Sequence, residues 1–332
     1  MTSENKPMRH NEKTSKSNGA SSILFAAWPG VGRVGYMAAE FLVRVADAKP
    51  VAEIRPDDYM YPNGIMIEKN VIRDLIFPRS VFYKGSIQGK DLTIFIGEHQ
   101  FPITKEIPAE TNPAHRYALE MIDTARELGC SRIYTSGGIY SMIHHSMKSG
   151  LTWGANNVEM LNEMNERLRP EFSMRDKMHP KTTFIAGMNG IFPSAAGEKG
   201  VPAATMLGEV PIYMQPLNAP YPKASKSVLE AFAIMNGLSL PVELLDDAIE
   251  KSTREIDDLM RRFKTSLPPK ERKDVFAGID QLAETKAGGK KDEKKPHGEQ
   301  KGGRGRRNRL TEEDARNAII EIEQFFKKEQ DK

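Results

Sequence analysis

The chain has 332 residues, enough for one large domain or two smaller ones. Hydrophobic residues make up 39% and charged residues 28%, so a core is expected together with unfolded tail. The net charge of +3 does not by itself call for a nucleic-acid partner, and the single cysteine, Cys130, excludes an internal disulfide and fits a reducing compartment.

Residues 1–20 are rich in Ser, Lys and Asn, lack periodicity and read as a disordered tail with no signal-peptide core. No apolar run approaches the ~20 residues that span a bilayer. A soluble, cytoplasmic protein is the expectation. Ile23 to Ala27 is an apolar run of the kind that forms a strand buried on both faces. It ends in Trp28-Pro29-Gly30-Val31-Gly32-Arg33-Val34-Gly35, and a helical pattern runs from Val34 to Val45. Val51 to Ile54 is a second strand. Asn63-Gly64 signals a turn, and Ile65 to Ile67, Val71 to Phe77 and Ser80 to Lys84 read as short strands of an antiparallel excursion. Asp91 to Ile96 is a buried strand that ends in Gly97-Glu98-His99-Gln100. A helix from about Pro113 to Leu128 is closed by Gly129.

Further on, Ser131 to Thr135 is a strand ending in Ser136-Gly137-Gly138, and Glu159 to Leu168 is helical in pattern. Thr182 to Ala186 reads as a strand before Gly187-Met188-Asn189-Gly190, followed by a small-residue helix from Pro193 to Lys199. Ala203 to Leu207 is the last strand and ends in Gly208-Glu209. Helices are expected at Tyr221 to Asn236 and Pro241 to Thr265. These alternating elements predict one α/β domain over residues 21–265 with a mostly parallel central sheet. Residues 266–310 form a basic flexible linker: Glu284 to Arg309 alone holds ten Lys/Arg against four Asp/Glu. An amphipathic helix is expected over 311–329. Its apolar stripe includes Ile319, Ile322, Phe325 and Phe326, a candidate docking face.

Gly30-x-Gly32-x-x-Gly35 matches a dinucleotide fingerprint literally, with Glu53 near the ribose position. Hairpin-like strands stand where a second βα unit would be needed, so a tight turn that lets helix pack on sheet is the preferred reading and no cofactor is expected. In an open parallel sheet, turns after strands gather at one edge. Gly30, Gly32, Arg33, Gly35, Glu98, Gly137, Gly138, Asn189 and Glu209 are therefore candidate ligand-binding residues of one cleft. The alternative is that these glycines and polar residues only shape turns. No nucleophile–base pair stands out, and no catalytic residue is assigned. His144-His145 is not read as a metal site, because adjacent side chains diverge on a helix or strand. Cys130 reads as a buried small hydrophobe. The run Arg304 to Arg309 has no interleaved aromatics, so it reads as solvated linker and not as an RNA site.

Five short segments, in order, resemble the proteasome assembly chaperone two family. They are Pro29-Gly30-Val31-Gly32-Arg33-Val34-Gly35, Asp91 to Gln100 after Val81-Phe82-Tyr83, Ile133 to Gly138, Met188-Asn189-Gly190 and Leu207-Gly208-Glu209. The resemblance spans about Ser22 to Phe263. It implies a three-layer α/β fold of the phosphorylase/hydrolase-like type and multimers. Some archaeal and eukaryotic members help assemble proteasome rings, while most bacterial members have no established activity. Proteasome-docking members often end in hydrophobic-Tyr-any, whereas this chain ends Gln330-Asp331-Lys332, so that docking mode is not carried over. The expectation is a non-enzymatic homo-oligomer, a dimer or trimer, that binds a protein client. Uncovered apolar turns at Met142, Met147, Pro211, Met214 and Pro216 would supply its interface. The alternative is a nucleoside- or phosphate-binding protein or hydrolase that uses the strand-end cleft.

Overall fold

The computed structural model describes residues 22–101, 113–172, 185–217 and 219–266, with residues 320 and 324 beyond them. The N-terminal tail, the basic linker and the stripe Ile319, Ile322, Phe325 and Phe326 lie outside the described residues.

The apolar run after residue 21 forms β1 (Ser22–Ala27), at the middle of the sheet. Its two neighbours are both parallel to it: β6 (Lys90–Gly97) on one side and β7 (Cys130–Ser141) on the other. Strand β9 (Ala203–Pro211) continues the parallel set beyond β7. The edges are antiparallel. β5 (Ser80–Ile87) and β2 (Lys49–Glu53) follow β6, and β8 (Leu151–Ala155) closes the other side. The order is β2-β5-β6-β1-β7-β9-β8. The excursion expected after β2 is thus antiparallel as read. It includes a separate hairpin of β3 (Gly64–Glu68) and β4 (Val71–Ile76). That hairpin turns at Lys69 and Asn70, both with positive φ as a two-residue turn between twisted strands requires.

Helices cover both faces. On one lie α1 (Val34–Val45), α3 (Val158–Leu168), α5 (Pro222–Asn236) and α6 (Asp246–Ser266), packed over Phe25, Tyr134 and Phe232. On the other lie α2 (Pro113–Glu127) and α4 (Met188–Glu198), over Leu24, Trp28, Phe95 and Phe192. Strands covered on both sides read as unbroken apolar runs, which is why β1 and β6 stood out in the sequence. Gly129, with φ +85°, ends the α2 region as expected. Cys130 begins β7 and is buried, and burial pushes its thiol up from the ordinary value.

Four elements differ from the sequence reading. Strand β7 runs on to Ser141, so Gly137-Gly138 lies inside the strand and not in a turn after it. Strand β8 was not expected, because Gly154 and Asn156-Asn157 look like turn residues. Strand β9 runs four residues past Leu207, so Gly208-Glu209 lies inside the strand and not in a turn after it. Helix α4 starts at Met188, so Asn189 lies in its first turn. Of the strand expected before it, Thr182 to Phe184 lie outside the described residues, and Ile185 and Ala186 are in no strand. Pro193 hid the helix start. Proline inside a helix removes the bond to the carbonyl four residues back. Here that carbonyl belongs to Asn189, and the Thr135 hydroxyl donates to it at 3.3 Å instead.

Candidate functional site

The glycine turn is a packing device at the carboxyl edge of the sheet. A side chain on Gly35 would run into the carbonyl of Ser136, and one on Gly138 would run into the carbonyl of Val31. The turn and the end of β7 therefore touch backbone to backbone. Gly32 has φ +58°, and its carbonyl accepts the Tyr221 N–H at 2.8 Å, which ties the turn to the start of α5. Arg33 also sits in left-handed backbone, φ 48°, and its guanidinium lies 4.8 Å from the Tyr36 ring centre. Gly30 is extended, and nothing lies within 4 Å of where its side chain would be.

The structure brings the remaining candidates to the same edge but divides them between the two faces of the sheet. Glu98 follows β6 on the α1 side. It lines a shallow cleft of about 210 Å3 with Tyr36, Glu40, Arg79, Tyr83 and Ile96. Its carboxylate accepts the Arg79 backbone N–H at 2.8 Å, and the Arg79 guanidinium reaches Glu53 at 3.4 Å. Burial, then the Glu40 and Glu98 charges, push the Tyr36 phenol up. The cleft is smaller than the roughly 300–1,000 Å3 of sites that engulf a small molecule. A single side chain of another protein is closer to its size.

Asn189 and Glu209 lie on the other face, with α4. Gly137 faces Asn189 so closely that a side chain there would strike its amide. Asn189 Oδ1 and Thr205 Oγ1 are buried without a hydrogen-bond partner, and Glu209 is only 6% exposed, its carboxylate against Gly150. Gln100, the last residue of the Gly-Glu-x-Gln segment, caps α4: its Oε1 accepts the Met188 N–H at 3.1 Å.

A buried chain of hydrogen bonds escaped the sequence. His145 is 3% exposed. Its Nε2 lies 2.8 Å from Asp257 Oδ1 and its Nδ1 2.6 Å from the Tyr213 hydroxyl, which also accepts the His145 backbone N–H at 2.7 Å. The Asp257 carboxylate only accepts, so Nε2 carries a proton facing it, and burial favours the neutral ring, whose Nδ1 then accepts from the Tyr213 hydroxyl. Burial lowers the His145 pKa, partly offset by Asp257, and burial also lowers that of Lys223, whose ammonium donates to the His145 carbonyl. These residues are up to 112 positions apart, so no local pattern could announce them. The expected divergence of His144 and His145 is corrected: they lie outside helix and strand, and their rings stand 4.1 Å apart. Among the described residues, no group of His, Cys, Asp or Glu is placed to hold a metal ion.

Among the described residues, most of the exposed large apolar side chains gather on the β3–β4 hairpin. Register places Ile65, Ile67, Ile72 and Leu75 on one face, and Met66, Val71 and Ile76 on the other. All seven are between 44% and 69% exposed. Split between two faces, they leave on the order of 400 Å2 of apolar surface on the four-residue face, within the roughly 300–600 Å2 of the largest patch on a typical monomer, which is often functional. Of the turns expected to be uncovered, Pro211 and Met214 are instead buried, because β9 and the short helical turn after it pack into the core.

A seven-stranded mixed sheet, parallel at its centre and covered by helices on both faces, defines a three-layer α/β protein. Its surface carries an apolar projection. The PAC2 family model matches residues 24–260, and the chain belongs to that family. An uncharacterized protein of Methanocaldococcus jannaschii is 23% identical over 248 residues, 74% of this chain and 83% of that protein. Two solved structures share the fold. Pyrococcus furiosus PbaB, described as an archaeal proteasome activator, has a TM-score of 0.58 and 23% identity, covering 74% of this chain and 95% of that one. A Mycobacterium tuberculosis proteasome-assembly chaperone homologue has a TM-score of 0.56 and 20% identity, covering 71% and 94%. Among the described residues, no helix is long and apolar enough to cross a membrane.

Proposed function

We propose that this protein is a non-enzymatic, oligomeric binding protein of the assembly-chaperone type, working in the cytoplasm and docking other protein through the β3–β4 hairpin. The hairpin carries the reading. An exposed apolar face of that size, on a hairpin, is the kind of patch that often marks a protein interaction site. The cleft between α1 and β5–β6, lined by Glu40, Glu98 and Arg79 among others, has room for a single side chain of the docked protein. Family membership supports a chaperone-like role, and the names of two structural neighbours, a proteasome-assembly chaperone homologue and an archaeal proteasome activator, support reading the client as a subunit of a larger protein assembly. The test is recovery of partners from native extract with the full chain and with Ile67→Lys/Ile72→Lys. The unaltered chain should retain a defined partner that the variant loses. Recovery of the same partners by both would refute the hairpin as the docking surface.

A second reading rests on the buried, unpartnered Asn189 Oδ1, on the side chain that faces Gly137, and on the buried, unpartnered Thr205 Oγ1 of β9, the strand that also carries Glu209. Buried polar atoms left without partners are where a small polar ligand or ordered water would bind. A thermal-shift screen with nucleosides and phosphate tests it. A ligand at a hundredfold excess over its dissociation constant stabilises by about 2.7 kcal/mol. Glu209→Ala should then change the ligand response more than the melting temperature.

A further inference from the structure

A two-stranded hairpin is marginal in water unless a third strand or a helix packs on its apolar face. Among the described residues, strands β3 and β4 pair only with each other, and the face bearing Ile65, Ile67, Ile72 and Leu75 is open. The same chain holds an element with the complementary need. Ala315, Ala318, Ile319, Ile322, Phe325 and Phe326 fall on one stripe at helical spacing. A helix of that length is marginal alone and forms when its apolar face is buried. Eighteen helical residues run about 27 Å, and the six residues of β4 about 20 Å, so one stripe can lie along the hairpin.

The tether permits the contact. A flexible chain as long as residues 267–310 would span roughly 36 Å on average and up to about 145 Å extended. The radius of gyration expected of a domain of this size is about 18 Å. A tethered segment meets its own domain at an effective concentration near millimolar, above the micromolar range in which separate copies meet. We infer that residues 311–329 of the same chain lie across the Ile65, Ile67, Ile72 and Leu75 face and cover it until a protein partner takes their place. This rests on the hairpin being the docking surface, and it makes the C-terminal segment an internal competitor for that surface.

The test uses the full chain with Ile67→Cys and Ile322→Cys under mild oxidation. Cys130 is buried and does not compete. A disulfide within one chain is expected on a non-reducing gel. Disulfides that form only between chains, or no disulfide, would overturn the inference. Amide exchange over 64–76 supplies the second readout. Phe325→Asp/Phe326→Asp should speed exchange there at least tenfold and leave residues 113–127 unchanged. Slow exchange in both proteins would mean that another chain covers the hairpin; the inference then falls while the docking reading stands. Fast exchange in both, at every protein concentration and with extract partners added, would sink both.

Discussion

Gly35 and Gly30 belong to the same glycine turn but should respond oppositely to a methyl group. Gly35 lies in α1, where alanine is intrinsically favoured over glycine by about 1 kcal/mol. Its added Cβ, however, would meet the carbonyl of Ser136, backbone against backbone, with no flexible side chain to give way. Overpacking typically costs about 1–3 kcal/mol, and a backbone collision belongs at the upper end. Offsetting ~3 kcal/mol by the ~1 kcal/mol helix preference leaves a net loss of about 2 kcal/mol for Gly35→Ala. In a domain of this size that lowers the melting temperature by about 4–8 °C. Gly30 has extended backbone and open space, so Gly30→Ala should stay within about 0.5 kcal/mol of the parent. Differential scanning calorimetry on both variants decides the matter. A Gly35→Ala protein that melts within a degree of the parent would refute the close-packing account, as would an equal loss from Gly30→Ala.

Three further outcomes follow from other contacts. The buried His145 is harder to protonate in the fold than in the unfolded chain. Its contribution to stability is therefore complete above the ordinary imidazole range near pH ~6.5. It is lost as pH falls through that range towards the lowered folded value. Urea unfolding should show a loss between pH 7 and 5 that His145→Gln lacks; parallel profiles would contradict this. Gln100→Ala removes the α4 cap and should cost about 1 kcal/mol, while Gln100→Glu, which keeps the acceptor, should cost less in chemical denaturation. The Tyr59 hydroxyl donates to the Glu120 carboxylate, and its phenol is pushed up to about 12, by burial first and then by Glu120. Tyr59→Phe should lose about 0.5–1.5 kcal/mol and remove one late-titrating phenol from the ultraviolet pH titration; an unchanged titration would count against the contact.

Much of the fold was legible because its signals are local. The β1 run, the glycine turn and α1 lie within two dozen residues, and burial on both faces leaves the strands uninterrupted in apolar character. The antiparallel excursion was legible because its strands are short and closely spaced. Features that depend on distant partners were hidden. Asn189 looked like a turn residue, since nothing local shows that Thr135 repairs the bond Pro193 removes. Glu209 looked like the end of a strand, since the pairing that extends β9 comes from Ile139 to Ser141 of a longer β7. The edge shared by the candidate residues could be read from the order of strands. Their division between two faces depends on side-chain parity in strands whose ends were set too short. The apolar hairpin was read as strands but not as exposed, because the sequence looks the same whether such residues are covered or not.

The central claim is that this chain works as an assembly of copies that binds protein, and the molar mass in solution tests it most directly. One chain weighs 37.2 kDa. Multi-angle light scattering of the full-length protein at micromolar concentration should return two or three times that mass. A value of 37.2 kDa, unchanged on concentration, would contradict the account.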